Sequence, residues 1–263
     1  DYYASRGLGD VYKRQAKTHL KHGTTTLFPT TLAASREEIL GSVNALRTAR
    51  HLMSDGPEMP GFHMEGPYLN VKQKGAIDEK YIRNPIKEEY EEFIFYGEGV
   101  IARWTLAPEL PGAMDFIHCL RSHGIVPSLG HTDAEYSQIL DAYRHGAEHV
   151  THLYSGMSGM IRRGGFRYPG LIESAYCIED MTVEVIADGC HLPPEILRMV
   201  YQVKGADKVA LTSDSMRCAG QDVKESVLGS LKNGQKVLIE DGVAKMPDRT
   251  AFAGSIATVS YTH

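Results

Sequence analysis

The 263-residue chain is poor in cysteine, with only four residues of this type, and they are far apart. No two form a CxxC pair, so neither a zinc ribbon nor a disulfide framework is indicated, and a reducing, cytoplasmic setting fits best. The sequence also lacks an apolar run of about 18 residues, the length that spans a bilayer. It has no Lys/Arg-rich run, and its formal net charge is -5. Neither a membrane nor a nucleic-acid partner is therefore expected.

The two ends of the sequence do not resemble parts of a fold. Residues 1–15 (DYYASRGLGDVYKRQ) and the final VSYTH resemble translated sequencing-adapter read-through. We expect 1–15 to be a non-native leader and 259–263 a non-native tail, with the chain between them an internal piece of a longer protein. An ordinary polar N-terminal segment is the alternative.

Seven short apolar, β-branched segments alternate with helical patterns, which predicts βαβ units and a parallel sheet. Both an open doubly wound sheet and a closed (β/α)8 barrel fit this alternation. Neither GxGxxG nor GxxxxGK[ST] follows the first segment, so the nucleotide-binding form of the open sheet is excluded. The segments are residues 22–31, 61–69, 101–109, 124–132, 149–156, 182–189 and 208–215.

Polar side chains at the carboxyl ends of these segments favour the barrel. In a barrel such ends converge on one mouth, where the active site lies. We therefore predict an α/β fold, a TIM-type (β/α)8 barrel over residues 16–230, with its first strand and its C-terminal helix missing. The polar residues are Glu65, Glu109, His131, His152, Asp188, His191 and Asp214.

Residues 231–258 have a different pattern, because two short apolar segments flank Asp241-Gly242, a strong hairpin signal. This stretch is predicted to be a β-hairpin added to the end of the barrel.

Three helix starts are also predicted. Ser35 with Glu38, and Thr132 with Glu135, have the spacing of a capping box, and Pro193-Pro194 suits a first helical turn.

One carboxylate and two imidazoles, Glu65, His131 and His152, predict a site for one divalent metal ion. Three protein ligands with an open position for water are typical of catalytic zinc, although iron, cobalt and manganese accept the same donors. Asp214, at the end of the last strand, could move a proton. Taken singly, a histidine at a strand end is more often a hydrogen-bonded core residue, and Glu65 could be a helix or loop cap; the combination in barrel order is what favours a metal site.

Six motifs occur in one order along the chain: HMEGPYLN (63–70), TLAPE (105–109), GHTDA (130–134), THLYSGM (151–157), IADGCHLPPE (186–195) and TSDSM (212–216). Together they resemble the N-acetylglucosamine-6-phosphate deacetylases of the amidohydrolase superfamily. The resemblance implies that Glu65, His131 and His152 bind the metal, that Asp214 is the catalytic acid and base, and that His191 contacts substrate. The implied reaction converts N-acetylglucosamine 6-phosphate into glucosamine 6-phosphate and acetate.

The resemblance also implies a phosphate site and a homodimer. Backbone N–H groups at Ser155 and Gly156 could hold the phosphate, with Arg167, reaching across a dimer interface, or Arg163 as its cation. Ser155 and Gly156 stand where the family has Asn and Ala, and Ile77 stands where many members have His. A related amidohydrolase acting on another N-acyl sugar or a cyclic amide therefore stays open. So does a catalytically inactive, phosphosugar-binding fragment.

Overall fold

The computed structural model describes residues 2–257, with side chains described from residue 12 onward. The helices are α1 (Tyr2–Lys21), α2 (Arg36–Leu52), α3 (Lys87–Tyr96), α4 (Ala113–Ser122), α5 (Tyr136–Arg144), α6 (Leu171–Cys177) and α7 (Pro194–Lys204). The strands are β1 (Thr30–Thr31), β2 (Phe62–Glu65), β3 (Ile101–Leu106), β4 (Val126–Leu129), β5 (His149–Val150), β6 (Ile161–Arg163), β7 (Phe166–Tyr168), β8 (Thr182–Ile186), β9 (Val209–Thr212), β10 (Glu225–Leu228), β11 (Gln235–Glu240), β12 (Val243–Lys245) and β13 (Phe252–Ser255).

Seven of these strands form one parallel sheet in the order β1-β2-β3-β4-β5-β8-β9. Each of the seven predicted segments contributes one strand, so the predicted partial TIM-type barrel is confirmed. The sheet is curled, with β1 and β9 as its two edges. The first segment gives only the two-residue β1 and an isolated bridge at Thr26, because Pro29 between them has no N–H to donate.

Alternate residues of the central strands face opposite sides of the sheet. Trp104 and Leu106 on β3 are fully buried on the outer side, and Trp104 lies against Phe93 of α3 and Phe116 of α4. The Trp104 indole N–H donates to the Gly66 carbonyl oxygen at 2.9 Å. The main apolar core therefore lies between the sheet and its helices.

The inner side of the sheet is polar. On this side His63 Nε2 lies 2.7 Å from Thr105 Oγ1, and Thr151 Oγ1 lies 2.7 Å from Thr105 Oγ1 and 2.6 Å from Ser128 Oγ. Barrel interiors are ordinarily filled by branched apolar side chains, so this polar lining is a distinctive feature of the chain.

The hairpin predicted around Asp241-Gly242 is confirmed. These two residues have φ values of 52° and 79°, and they join β11 to β12 as a two-residue turn. The hairpin is the centre of an antiparallel sheet in the order β10-β11-β12-β13. In the described part of the chain, residues 213–257 contain no helix.

Two of the three predicted helix starts are confirmed. Ser35 caps α2 in a capping box with Glu38, and α7 begins at Pro194. The prediction for Thr132 is wrong, because α5 begins at Tyr136 with Glu135 as its cap. Thr132 instead donates its hydroxyl proton to a Glu109 carboxylate oxygen.

The predictions for the chain ends stay predictions. Residues 2–15 lie within α1, while the tail at 259–263 lies outside the described residues. Within the described part, no helix combines the length and the apolar character that crossing a membrane requires.

The aromatic cluster around Phe116 should dominate the stability of the helical layer. The Phe116 ring lies 5.0 Å from Tyr68 and from Trp104 and 4.8 Å from Tyr90, centroid to centroid. We expect Phe116→Ala to lower the free energy of unfolding by about 3–5 kcal/mol in urea titrations, because it leaves a cavity. The control is Phe95→Ala at an exposed position, where the change should stay within about 0.5 kcal/mol; equal effects would contradict the packing argument.

Candidate active site

The predicted metal ligands lie together where three strands of the parallel sheet end. Glu65 is the last residue of β2, while His131 and His152 each lie two residues beyond β4 and β5. His131 and His152 have φ values of 49° and 31°, and Asp214 has 45°. In non-glycine residues this backbone region is uncommon and is enriched at functional sites. Here this conformation occurs in the turns that place His131, His152 and Asp214 at the mouth of the curled sheet.

One carboxylate oxygen holds the ligand set together. Glu65 Oε1 lies 2.8 Å from His131 Nε2 and 2.9 Å from His152 Nε2. The two imidazole rings are perpendicular, with centroids 4.9 Å apart. One ligand atom from each residue lies within 4.8 Å of the other two, and all three residues are buried. This is a compact carboxylate and imidazole cage that could hold one metal ion.

The charges in this cage are strongly coupled. Burial would raise the pKa of Glu65, but hydrogen bonds from both histidines hold the pKa well below its ordinary value. Burial would lower the pKa of His152, but the hydrogen bond and the charge of Glu65 raise it to about 9. The cage thus holds a buried carboxylate that needs positive charge beside it, and a divalent cation bound by the same three donors fits this requirement.

His131 is oriented by a loop that sequence analysis did not connect with the site. Its Nδ1 lies 2.8 Å from the Gln73 carbonyl oxygen, which only accepts, so Nδ1 donates a proton there and Nε2 is the nitrogen directed at Glu65 Oε1. Asp133 accepts from Gln73 Nε2 at 3.0 Å, and Glu109 accepts from Asn70 Nδ2 at 2.8 Å. Glu109, predicted to lie at the mouth, therefore fastens this loop.

Asp214 lies in the same cavity as the three ligands. The antiparallel sheet of β10–β13 (the small sheet) holds the main chain of Asp214, because Ser255 of β13 donates its N–H to the Asp214 carbonyl oxygen at 2.9 Å. Burial, followed by the negative charge of Glu65, raises the pKa of the Asp214 carboxyl. The Asp214 carboxyl therefore shares its cavity with the buried carboxylate of the metal cage.

His191 is held rigidly on the loop after β8. Its Nδ1 lies 2.7 Å from Asp188 Oδ2, and its backbone N–H donates to Asp188 Oδ1 at 2.9 Å. Phe252 of β13 packs edge-on against the ring at 5.0 Å. Sequence analysis missed Phe252, since its position depends on the small sheet. The remaining nitrogen, Nε2, is the one left available to the cavity.

Ser155 and Gly156 also line this cavity, whose volume is about 2000 Å³. Gly156 has φ of 55°, and a Cβ there would lie 2.7 Å from His131 Nδ1 and 3.0 Å from the Gln73 carbonyl oxygen. A glycine at this position is therefore what lets His131 and Gln73 meet as closely as they do.

The two predicted phosphate-binding arginines do not join the site within one chain. Arg163 and Arg167 lie on the exposed β6–β7 hairpin and are not among the cavity-lining residues. Arg163 forms an ion pair with Glu135 at 2.8 Å and lies over the Tyr168 ring. Arg167 is exposed and contacts the Gly165 carbonyl oxygen at 3.4 Å. Their assignment to phosphate stays a prediction.

Removal of His131 should abolish metal binding. We expect His131→Ala to retain less than a tenth of the wild-type metal content after dialysis, measured by elemental analysis, because two donors remain and the carboxylate loses a partner. The control is His123→Ala, at an exposed residue after α4. Wild-type metal content in His131→Ala would remove this residue from the ligand set.

Known proteins were compared with the chain at the levels of family, sequence and structure. A model of the amidohydrolase family matches residues 8–249. The N-acetylglucosamine-6-phosphate deacetylase of Vibrio furnissii is 33% identical over 237 residues, which cover 90% of this chain and 57% of that protein. The Bacillus subtilis protein of the same name is 34% identical over 239 residues, covering 90% of this chain and 58% of that protein.

A solved structure gives the same result. The N-acetyl-D-glucosamine-6-phosphate deacetylase of Mycobacterium smegmatis superposes with a TM-score of 0.81 at 31% identity, covering 98% of this chain and 63% of that chain. The chain thus spans about three fifths of the length of these relatives. Because the family model matches most of its residues, the chain belongs to the amidohydrolase family.

Proposed function

We propose that the protein hydrolyses the N-acetyl group of N-acetylglucosamine 6-phosphate, giving glucosamine 6-phosphate and acetate. The observation that carries the proposal is the buried Glu65, His131 and His152 cage with Asp214 in the same cavity. The names of the related proteins support this substrate. The setting that fits such a metabolic reaction is the cytoplasm.

The cage would hold a single divalent ion, with zinc the best match to one carboxylate and two imidazoles and iron, cobalt or manganese as alternatives. When bound, such an ion lowers the pKa of a coordinated water towards about 7 and polarises a carbonyl oxygen. The residues of the chain then orient the acetamide and move its protons.

Asp214 is the proton carrier in this proposal. Its carboxylate accepts a proton from the attacking water and delivers it to the departing amine, so that the C–N bond breaks to a neutral amine. Asp214 lies two residues beyond β9 and lines the same cavity as the three ligands, which suits this role.

His191 stabilises the oxyanion that develops on the acetyl oxygen. Asp188 fixes the ring through its contact with Nδ1, so that an Nε2–H would donate into the cavity towards this oxygen. Ser155 and Gly156 would supply backbone N–H groups to the phosphate. Arg167, or Arg163, would reach the phosphate from the second subunit of a homodimer, since neither lines the cavity of its own chain.

Another N-acyl sugar is the second candidate substrate. Ile77, Ser155 and Gly156 line the cavity with small or apolar side chains, which leaves room near the cage for a different sugar. Cyclic amides and an inactive phosphosugar-binding role are the remaining alternatives to test.

The substrate test compares acetate release from N-acetylglucosamine 6-phosphate, its C4 epimer N-acetylgalactosamine 6-phosphate, and unphosphorylated N-acetylglucosamine. We expect kcat/KM for the phosphorylated glucosamine derivative to exceed that for the free sugar at least about tenfold, because charge-assisted phosphate contacts would be lost. Equal values would refute phosphate recognition, and faster turnover of the epimer would favour the second candidate.

Asp214→Asn tests the proton carrier. We expect kcat to fall by about 10²–10⁴-fold with metal content unchanged, because an amide cannot accept the proton. Asp222→Asn, an exposed residue of the following loop, is the matched control and should retain activity. Near-normal kcat in Asp214→Asn would show that another group moves the proton.

A further inference from the structure

A buried ion pair lies inside the curled sheet and lines the same cavity as the metal cage. Arg103 of β3 and Glu184 of β8 are joined by a contact of 2.5 Å between Nη1 and Oε2. Their side chains are only 18% and 7% exposed. Neither residue has a part in the proton or metal chemistry proposed above, so the pair requires its own explanation.

The cation of this pair is surrounded by acceptors. Arg103 Nη2 donates to His63 Nδ1 at 2.9 Å, and Nη1 donates to His149 Nε2 at 3.2 Å. Because a guanidinium only donates, His63 Nδ1 accepts from it and this ring is neutral. Glu184 is therefore the carboxylate that balances Arg103.

Glu184 contacts the metal-ligand loop with two of its oxygen atoms. Its Oε1 accepts the backbone N–H of His152 at 3.2 Å, and its main-chain carbonyl oxygen accepts the N–H of Leu153 at 2.7 Å. These two consecutive N–H groups lie where β5 has ended and His152 has φ of 31°. Glu184 thus holds the backbone in the uncommon conformation that directs His152 to Glu65.

The two carboxylate oxygens of Glu184 have different partners. Oε2 binds the Arg103 guanidinium while Oε1 binds the His152 N–H. Each oxygen atom of the carboxylate therefore accepts from a different donor, and both contacts are made at the same time.

We propose that Glu184 is a positioning residue for the ligand His152, and that Arg103 fixes the carboxylate of Glu184 for this purpose. A buried ion pair adds little stability compared with apolar residues of similar volume. Barrel interiors are also ordinarily apolar. A role in shaping the metal site explains why charge is placed here. The inference rests on the proposed metal site and adds residues that do not contact the metal.

Glu184→Gln is the decisive change, because an amide has only one oxygen. If that oxygen accepts from Arg103, the amide NH₂ group faces the N–H of His152; if it is turned round, the NH₂ group faces the guanidinium. One donor is left unpaired in either orientation. We expect Co²⁺ to bind about 10–100-fold more weakly, as for other changes behind metal ligands, with an altered visible absorption spectrum of the bound Co²⁺.

Glu92→Gln is the matched control. Glu92 pairs with Arg36 between α2 and α3, on the outside of the sheet, and undergoes the same chemical change. We expect its Co²⁺ affinity and spectrum to equal those of the wild type. A folded Glu184→Gln protein with wild-type affinity and spectrum would overturn the proposal, whereas absence of Co²⁺ binding by the wild type would overturn the metal site itself.

A second variant covers the case in which Glu184→Gln does not fold, because Arg103 would be left as a buried, uncompensated charge. Arg103→Met combined with Glu184→Met removes both charges and also the oxygen that accepts the N–H of His152, and circular dichroism with thermal unfolding reports the fold. Weakened Co²⁺ binding and an altered spectrum in the folded double variant support the proposal. Wild-type values there would show that the ion pair serves only the packing of the sheet.

Discussion

The site depends on one carboxylate that is buried between two imidazoles. Glu65 Oε1 contacts His131 and His152 within 2.9 Å, yet β2 and β5 are separated by β3 and β4 in the sheet. With neighbouring strands about 4.8 Å apart, a flat sheet would place β2 about 14 Å from β5. Only a curled sheet brings these strand ends together. Because an unpaired buried charge is costly, the curl and the charge pairing require each other.

Alternation along the strands lets one sheet serve two purposes. On β3 the outward Trp104 packs in the aromatic core, while the inward Arg103 and Thr105 join the polar interior. The same backbone therefore supplies packing on one face and polar contacts on the other. The turns after the strands, with positive φ at His131, His152 and Asp214, then place these three residues at the cavity.

Much of the fold and part of the site could be predicted because their signals are local. An apolar segment followed by a polar residue marks both a strand and its carboxyl end, which is how Glu65, His131 and His152 were identified. Capping at Ser35 is also local and was predicted correctly, whereas Thr132 was misassigned because a distant carboxylate, Glu109, binds its hydroxyl group. The contributions of residues such as Phe252 could not be predicted, since they depend on contacts between distant segments.

The sequence by itself determined the strand and helix alternation, the residue types able to bind a metal, and the family resemblance. Side-chain periodicity and the chemistry of possible ligands depend on residue type and local spacing, so these features do not depend on contacts between distant segments. Only the tertiary structure decided which groups support the ligands. Gln73 orients His131 through its carbonyl oxygen, and Glu184 reaches the N–H of His152 from another strand. Every residue has a main-chain carbonyl oxygen, so the sequence does not mark the one that accepts from His131. Buried ion pairs form between residues far apart in the chain, so only the fold brings the two partners together.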